Sequence, residues 1–172
     1  MAKALAGSCV IGSDPLPIAL GQHPPEAFGF LEMEIALPAI DRVSVSLRVF
    51  GDSLEPDEVS ALLGRQPTRF HRKGDKNPQN PSLIEPTGAW ILDSALSEKA
   101  EIEEHVEALL SPISNDSDEW ANLTSRFSAS ILCSVFLNQY NEGFELSPRL
   151  AQSLADRGLV IAFDIYSGDP EA

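Results

Sequence analysis

Cysteine is nearly missing from this chain: Cys9 and Cys133 are its whole complement, with no CxxC pair and no metal-type spacing. A disulfide framework is not indicated, and such usage fits a reducing cytoplasm. Cys133 lies in an apolar run, where a thiol reads as a small core residue. Histidine is as scarce. His23, His71 and His105 stand far apart, and no HExxH, GxGxxG, Walker loop, calcium loop or nucleophile elbow accompanies them. No local motif points to a catalytic residue, a metal or a cofactor, so the reading leans away from an enzyme. No apolar run approaches the roughly 20 residues needed to cross a bilayer. Ala4 to Ile11, broken by Gly7 and Ser8, makes a poor signal peptide. Basic residues are in deficit too: 12 Lys and Arg face 26 Asp and Glu, a formal charge of −14. General nucleic-acid binding needs the opposite excess. A surface of this sign suits solubility and a basic protein partner.

What is present describes one ordinary domain. The chain has 172 residues, 43% hydrophobic and 22% charged, enough for a single core and too few for two. Residues 1–41 differ from the rest, because Pro15, Pro17, Pro24, Pro25 and Pro38 interrupt every periodic pattern. They read as a weakly ordered arm with a short strand near Met33 to Leu37. Met33 is a candidate natural start, with 1–32 as upstream sequence. The domain is expected over 42–169, followed by a tail at 170–172.

From Arg42 the periods become clear. Val43, Val45, Leu47 and Val49 alternate with Ser44, Ser46, Arg48 and Phe50, a half-buried strand. Leu54-Glu55-Pro56-Asp57-Glu58 opens a helix, with Pro in the first turn and acids at the positive end of the dipole. Gly64 closes it. Strands are expected over Thr68 to Arg72 and Gly88 to Leu92. A helix over Ser97 to Leu110 carries Ile102, Val106, Leu109 and Leu110 on one face. A second, Asp116 to Leu123, follows Pro112. Ser128 to Leu137 is the strongest strand. Ser147 caps a helix that Pro148 starts and Gly158 ends, and Leu159 to Tyr166 is the last strand.

The pattern repeats loosely. Each half reads strand, Leu-x-Pro, short helix, Gly, strand, with Leu54-Glu55-Pro56 answered by Leu146-Ser147-Pro148. Two degenerate βαβ units in an α+β fold follow: a single sheet with helices mainly on one face, and ferredoxin-like topology as the natural guess.

One segment runs against the acidic background. Arg65, Arg69, Arg72, Lys73 and Lys76 fall within a dozen residues, with His71 among them and Thr87-Gly88-Ala89-Trp90 soon after. Arg supplies planar bidentate contacts and Lys a point charge, both suited to phosphate or carboxylate. Arg69, His71, Arg72 and Lys73 are therefore candidate binding residues, with Trp90 as a flat apolar wall. A plainer account has these cations neutralise the acids of 98–119, namely Glu98, Glu101, Glu103, Glu104, Glu107, Asp116, Asp118 and Glu119. Trp90 by itself reads as a core anchor. Asp164 and Tyr166 share a face of the last strand and are expected to reach Arg48 if the outer strands pair.

Several of these motifs together resemble a known family. Leu54-Glu55-Pro56-Asp57-Glu58, Leu63-Gly64 followed by Pro67-Thr68, Lys73-Gly74-Asp75, Thr87-Gly88-Ala89-Trp90 and Phe163-Asp164-Ile165-Tyr166 stand in its order. The chain is similar, over about Val43 to Asp169, to the bacterial domain-of-unknown-function family DUF4279. That resemblance implies one small α+β domain and carries over no catalytic residue.

Two functional expectations compete. The first is a non-enzymatic cytoplasmic module, regulatory or of the immunity type, that engages a protein through the acidic helix face, with no cofactor and no membrane. The second is a small-anion or nucleotide site built from Arg69, Arg72 and Lys73 beside Trp90.

Overall fold

Alternation builds the sheet. The structure, a computed structural model, describes residues 40–138 and 143–167. The expected arm up to Pro38, its strand near Met33, Cys9, His23 and the tail at 170–172 lie outside the described residues. Strand β1 (Arg42–Gly51) buries Val43, Val45, Leu47 and Val49 and turns Arg48 to the other side. Strand β4 (Ser128–Phe136) repeats the pattern, with Ala129, Ile131, Cys133 and Val135 buried. The two pair antiparallel, placing Leu47 opposite Ile131 and Val45 opposite Cys133. Each such side chain removed from water contributes roughly 1.5–3 kcal/mol. Burial also pushes the Cys133 thiol up to about 12, so it stays protonated and inert.

Strand β3 (Gly88–Asp93) lies antiparallel on the other side of β1, and the short β2 (Arg69–His71) pairs antiparallel with β3. Strand β5 (Val160–Tyr166) runs parallel to β4. The order is β2-β3-β1-β4-β5, a single mixed sheet. Helices α1 (Pro56–Leu63), α2 (Ile102–Leu110), α3 (Ser117–Arg126) and α4 (Pro148–Ala155) give Val59, Leu63, Val106, Leu109, Trp120, Leu123, Leu150 and Leu154 to the same core cluster as the inward strand residues. The fold is α+β.

The two Leu-x-Pro units keep their local punctuation. Pro56 and Pro148 open α1 and α4; Gly64 (φ 70°) is the left-handed cap of α1, while α4 is capped by Asp156 and Gly158 (φ 63°) supplies a left-handed residue in the turn that follows. The Ser147 hydroxyl accepts the Leu150 amide at 3.1 Å, whereas Glu55 caps α1 without a side-chain bond. Within the sheet the units differ. β4 and β5 are neighbours, but β3 lies between β1 and β2. Ferredoxin-like topology is not confirmed, since the sheet has a fifth strand, a parallel pair and two helices between β3 and β4.

The first of those helices starts at Ile102, later than the expected Ser97. Glu101 is its N-cap, with a capping box in which the Glu101 and Glu104 side chains satisfy each other's backbone amides. Before it, Ser97 accepts the amides of Lys99 and Ala100 in a turn, so good helix formers there are held out of the helix. Asp116 caps α3 by accepting from Asp118 and Glu119.

Candidate functional site

The basic segment occupies β2 and the first arm of a long β2–β3 hairpin. Beyond β2 the chain continues as a narrow ribbon, with Lys76 bridged to Ile84 and the Gly74 amide donating to the Glu85 carbonyl. Asn77 organises its tip by accepting the amides of Gln79 and Asn80. Arg69, Arg72 and Lys73 are held by nearby acids.

Arg69 forms a bidentate pair with Asp93 on β3, at 3.0 and 2.8 Å. Burial works to raise the Asp93 pKa, but the bonds from Arg69 and Thr68 outweigh it and hold the carboxyl below its usual range. Arg72 donates to Glu55 at 2.7 Å and to Asp57 at 3.3 Å, while its own amide donates to Asp75. Lys73 meets Asp52, and His71 Nε2 lies 3.4 Å from Glu85. The acids that neutralise this segment thus come from the β1–α1 connection, the ribbon and β3. None comes from 98–119, where the plainer reading had placed them. Distance along the chain misled there: the split of β1 from β2 folds the start of α1 back beside the ribbon.

Trp90 stands apart from these cations. Arg69 lies opposite Ile91 on β3, one residue from Trp90, and successive strand residues face opposite sides. Trp90 is fully buried among the helices, with Nε1 donating to Ser60 Oγ at 3.0 Å. Ser60 Oγ in turn donates to the Pro56 carbonyl at 2.8 Å, so the indole is tied to the first turn of α1. Arg69, His71, Arg72 and Lys73 therefore share the exposed hairpin, and Trp90 belongs to the core.

A direct expectation follows for the hairpin cations. Replacing Arg72 and Lys73 together by Ala leaves the melting temperature within experimental scatter, since both side chains and their partners are exposed to solvent and salt. A clear drop in differential scanning calorimetry would show that these pairs hold the fold.

The acids of 98–119 are used differently. Glu101, Glu104 and Asp116 cap helices, Glu119 accepts the Ser114 hydroxyl, and Glu103 accepts the Ser147 hydroxyl of α4. Glu107 accepts Arg149 at 2.7 Å and is the one member of the set that meets a Lys or Arg among the described residues. Glu98 and Asp118 are exposed. Between α2 and α4 lies a groove of about 620 Å³, walled by Glu103 and Glu107 on one side and Arg149 and Arg157 on the other, with Val106 and Leu150 below. Arg157 was not singled out from the sequence. It donates to the Ser153 carbonyl and to Asn115, and its guanidinium carbon sits 6.0 Å from the Trp120 ring centre.

The sheet face away from the helices carries the remaining polar cluster. Tyr166 donates to Asp164 at 2.6 Å, as their shared face predicted. The expected bond to Arg48 is not formed. β4 separates β1 from β5, and Arg48 Nε instead donates to Ser46 at 2.9 Å. Among the described residues no three His, Cys, Asp or Glu side chains group as a metal site requires.

Comparison with known proteins adds the family. The model of the family described as Domain of unknown function (DUF4279) matches residues 41–168. The chain belongs to that family. No curated protein and no solved structure matches. The DUF4279 match spans all five strands and all four helices, so the hairpin, the α2–α4 groove and β5 are all parts of the family's domain. Among the described residues no helix is long and apolar enough to cross a membrane.

Proposed function

We propose that this chain is a non-catalytic cytoplasmic protein-binding module, regulatory or of the immunity type, whose acidic stretch at 98–119 docks a basic surface of another protein. The carrying observation is where the cations go. Arg69, Arg72, Lys73 and Lys99 meet Asp93, Glu55, Asp52 and Asp41, and Arg126 meets Glu58, so these five cations are paired with acids outside this stretch. Its carboxylates keep most of their field, offset by Arg149 at Glu107 and by Arg157, which bonds Asn115. The adjacent groove offers apolar contact at Val106 and Leu150 for a residue of the partner. An incoming phosphate would first have to displace Asp93, Glu55 and Asp52 from the hairpin cations, which favours the acidic surface over the anion reading.

The test uses Glu98→Lys with Asp118→Lys, because neither side chain caps a helix or anchors a neighbour among the described residues. Wild type is expected to retain a specific protein whose binding weakens as salt is raised. The double variant is expected to lose it while staying folded, its melting temperature lowered only slightly because Lys replaces an acid in the first turn of α3. A partner bound equally by both, or none released by salt, overturns the proposal.

A further inference from the structure

One edge of the sheet is built differently from the other. β2 is only three residues long and runs into a charged ribbon. β5 spans seven residues, Val-Ile-Ala-Phe-Asp-Ile-Tyr, and among the described residues no strand pairs with its outer side. Natural edges are usually blunted by Lys, Pro, a bulge or brevity. β5 has none of these, and Asp164 is its one charge. Large apolar side chains stand open along it: Val160 is 63% exposed, Ile165 52% and Tyr166 47%.

The direction of its free backbone groups follows from one hydrogen bond. The Tyr166 carbonyl accepts the Leu137 amide at the end of β4. Residues of the same parity therefore point their backbone groups toward β4, and Ile161, Phe163 and Ile165 point theirs outward.

We infer that β5 pairs with β5 of a second copy of this chain, antiparallel about a two-fold axis at Phe163. A two-fold interface needs a self-complementary patch, and this strand is one in that register. Phe163 faces its own counterpart, Ile161 faces Ile165, and both are pairs whose outward N–H and C=O groups exchange two bonds. On the other face Val160 meets Tyr166, which is already fixed by stacking on Phe136 at 4.6 Å between ring centres. Asp164 meets Ala162, so the carboxylates of the two copies do not oppose each other. Every other facing pair is apolar. Burial of Val160, Ile165 and Tyr166 supplies the driving force, and the paired edges join the two sheets into one.

Net charge works against the association, since each chain carries −14. The dimer therefore strengthens with added salt, the reverse of the partner binding proposed above, and does not depend on that reading. Sedimentation of the full chain is expected to give a dimer at raised salt. Ile165→Lys and Val160→Lys, both at exposed positions, are expected to give monomers with wild-type circular dichroism. Hydrogen exchange is expected to protect the Ile161, Phe163 and Ile165 amides in the wild type and to release them in the variants. A monomer at every concentration and salt overturns the inference. So does a dimer that both substitutions leave intact, or protection of those amides that persists in a monomer.

Discussion

Trp90→Ala lowers the unfolding free energy by about 3–5 kcal/mol, a large share of the 5–15 kcal/mol typical of a domain. The indole is fully buried, opposite Val49 on β1 and Phe70 on β2, so its removal opens a cavity between three strands and α1. Such a void forfeits dispersion contacts on all sides, because the strands that line it are fixed by their ladders. The polar loss is smaller. Without Nε1, Ser60 Oγ loses one donor but keeps its own bond to the Pro56 carbonyl. Trp90→Phe separates the two contributions, retaining most of the packing while removing a bond that contributes about 0.5–1.5 kcal/mol. Urea unfolding followed by circular dichroism gives both numbers. If Trp90→Ala matched wild type, Trp90 would be no core anchor.

Acid is expected to weaken the fold through His105. The ring is buried on α2, with Nδ1 2.8 Å from Ser94 Oγ. Burial pushes its pKa below the ordinary 6.5, against the opposing pull of the Ser97 backbone and Glu104. The sign follows from which state takes up the proton first. Below 6.5 the unfolded chain binds a proton that the folded chain still refuses, so stability falls with pH until the lowered folded value is reached. Above 6.5 the contribution is complete. The slope for one such proton is at most about 1.4 kcal/mol per pH unit. His105→Gln, which keeps a group able to bond Ser94, is expected to flatten this part of the profile. Unfolding free energies at about pH 7.5 and about pH 5.5 for both proteins check it. Parallel profiles would assign the acid sensitivity to other groups.

The strand periods and the Pro and Gly punctuation were legible because they are local. Val43 to Val49 alternate whatever surrounds them, and the Leu-x-Pro openings of α1 and α4 need only their own turns. The start of α2 was not legible. Ser97 to Glu101 has helix-forming composition, and the capping box and the Ser97 turn decide against it. The candidate surfaces were half legible. Clustering of Arg69, His71, Arg72 and Lys73 is visible in one dimension, but the acids that meet them, Asp93, Glu55 and Asp52, lie on segments whose adjacency depends on β3 entering between β1 and β2. Trp90 illustrates the same limit: one residue separates it from the register position of Arg69, and the pleat sends it to the opposite face.

By itself the sequence determined an acidic α+β domain, the position of its strands and most of its helices, and the absence of any local catalytic motif, since each depends on residues a few places apart. Tertiary structure alone decided which acids the hairpin cations meet, that Glu107 alone among the acids of 98–119 forms an ion pair with a Lys or Arg among the described residues, and which long strand lies at the end of the sheet among those residues. Those depend on strand order. Strand order is set by long-range burial, which minimises exposed apolar area over the whole sheet and leaves no local trace in the chain.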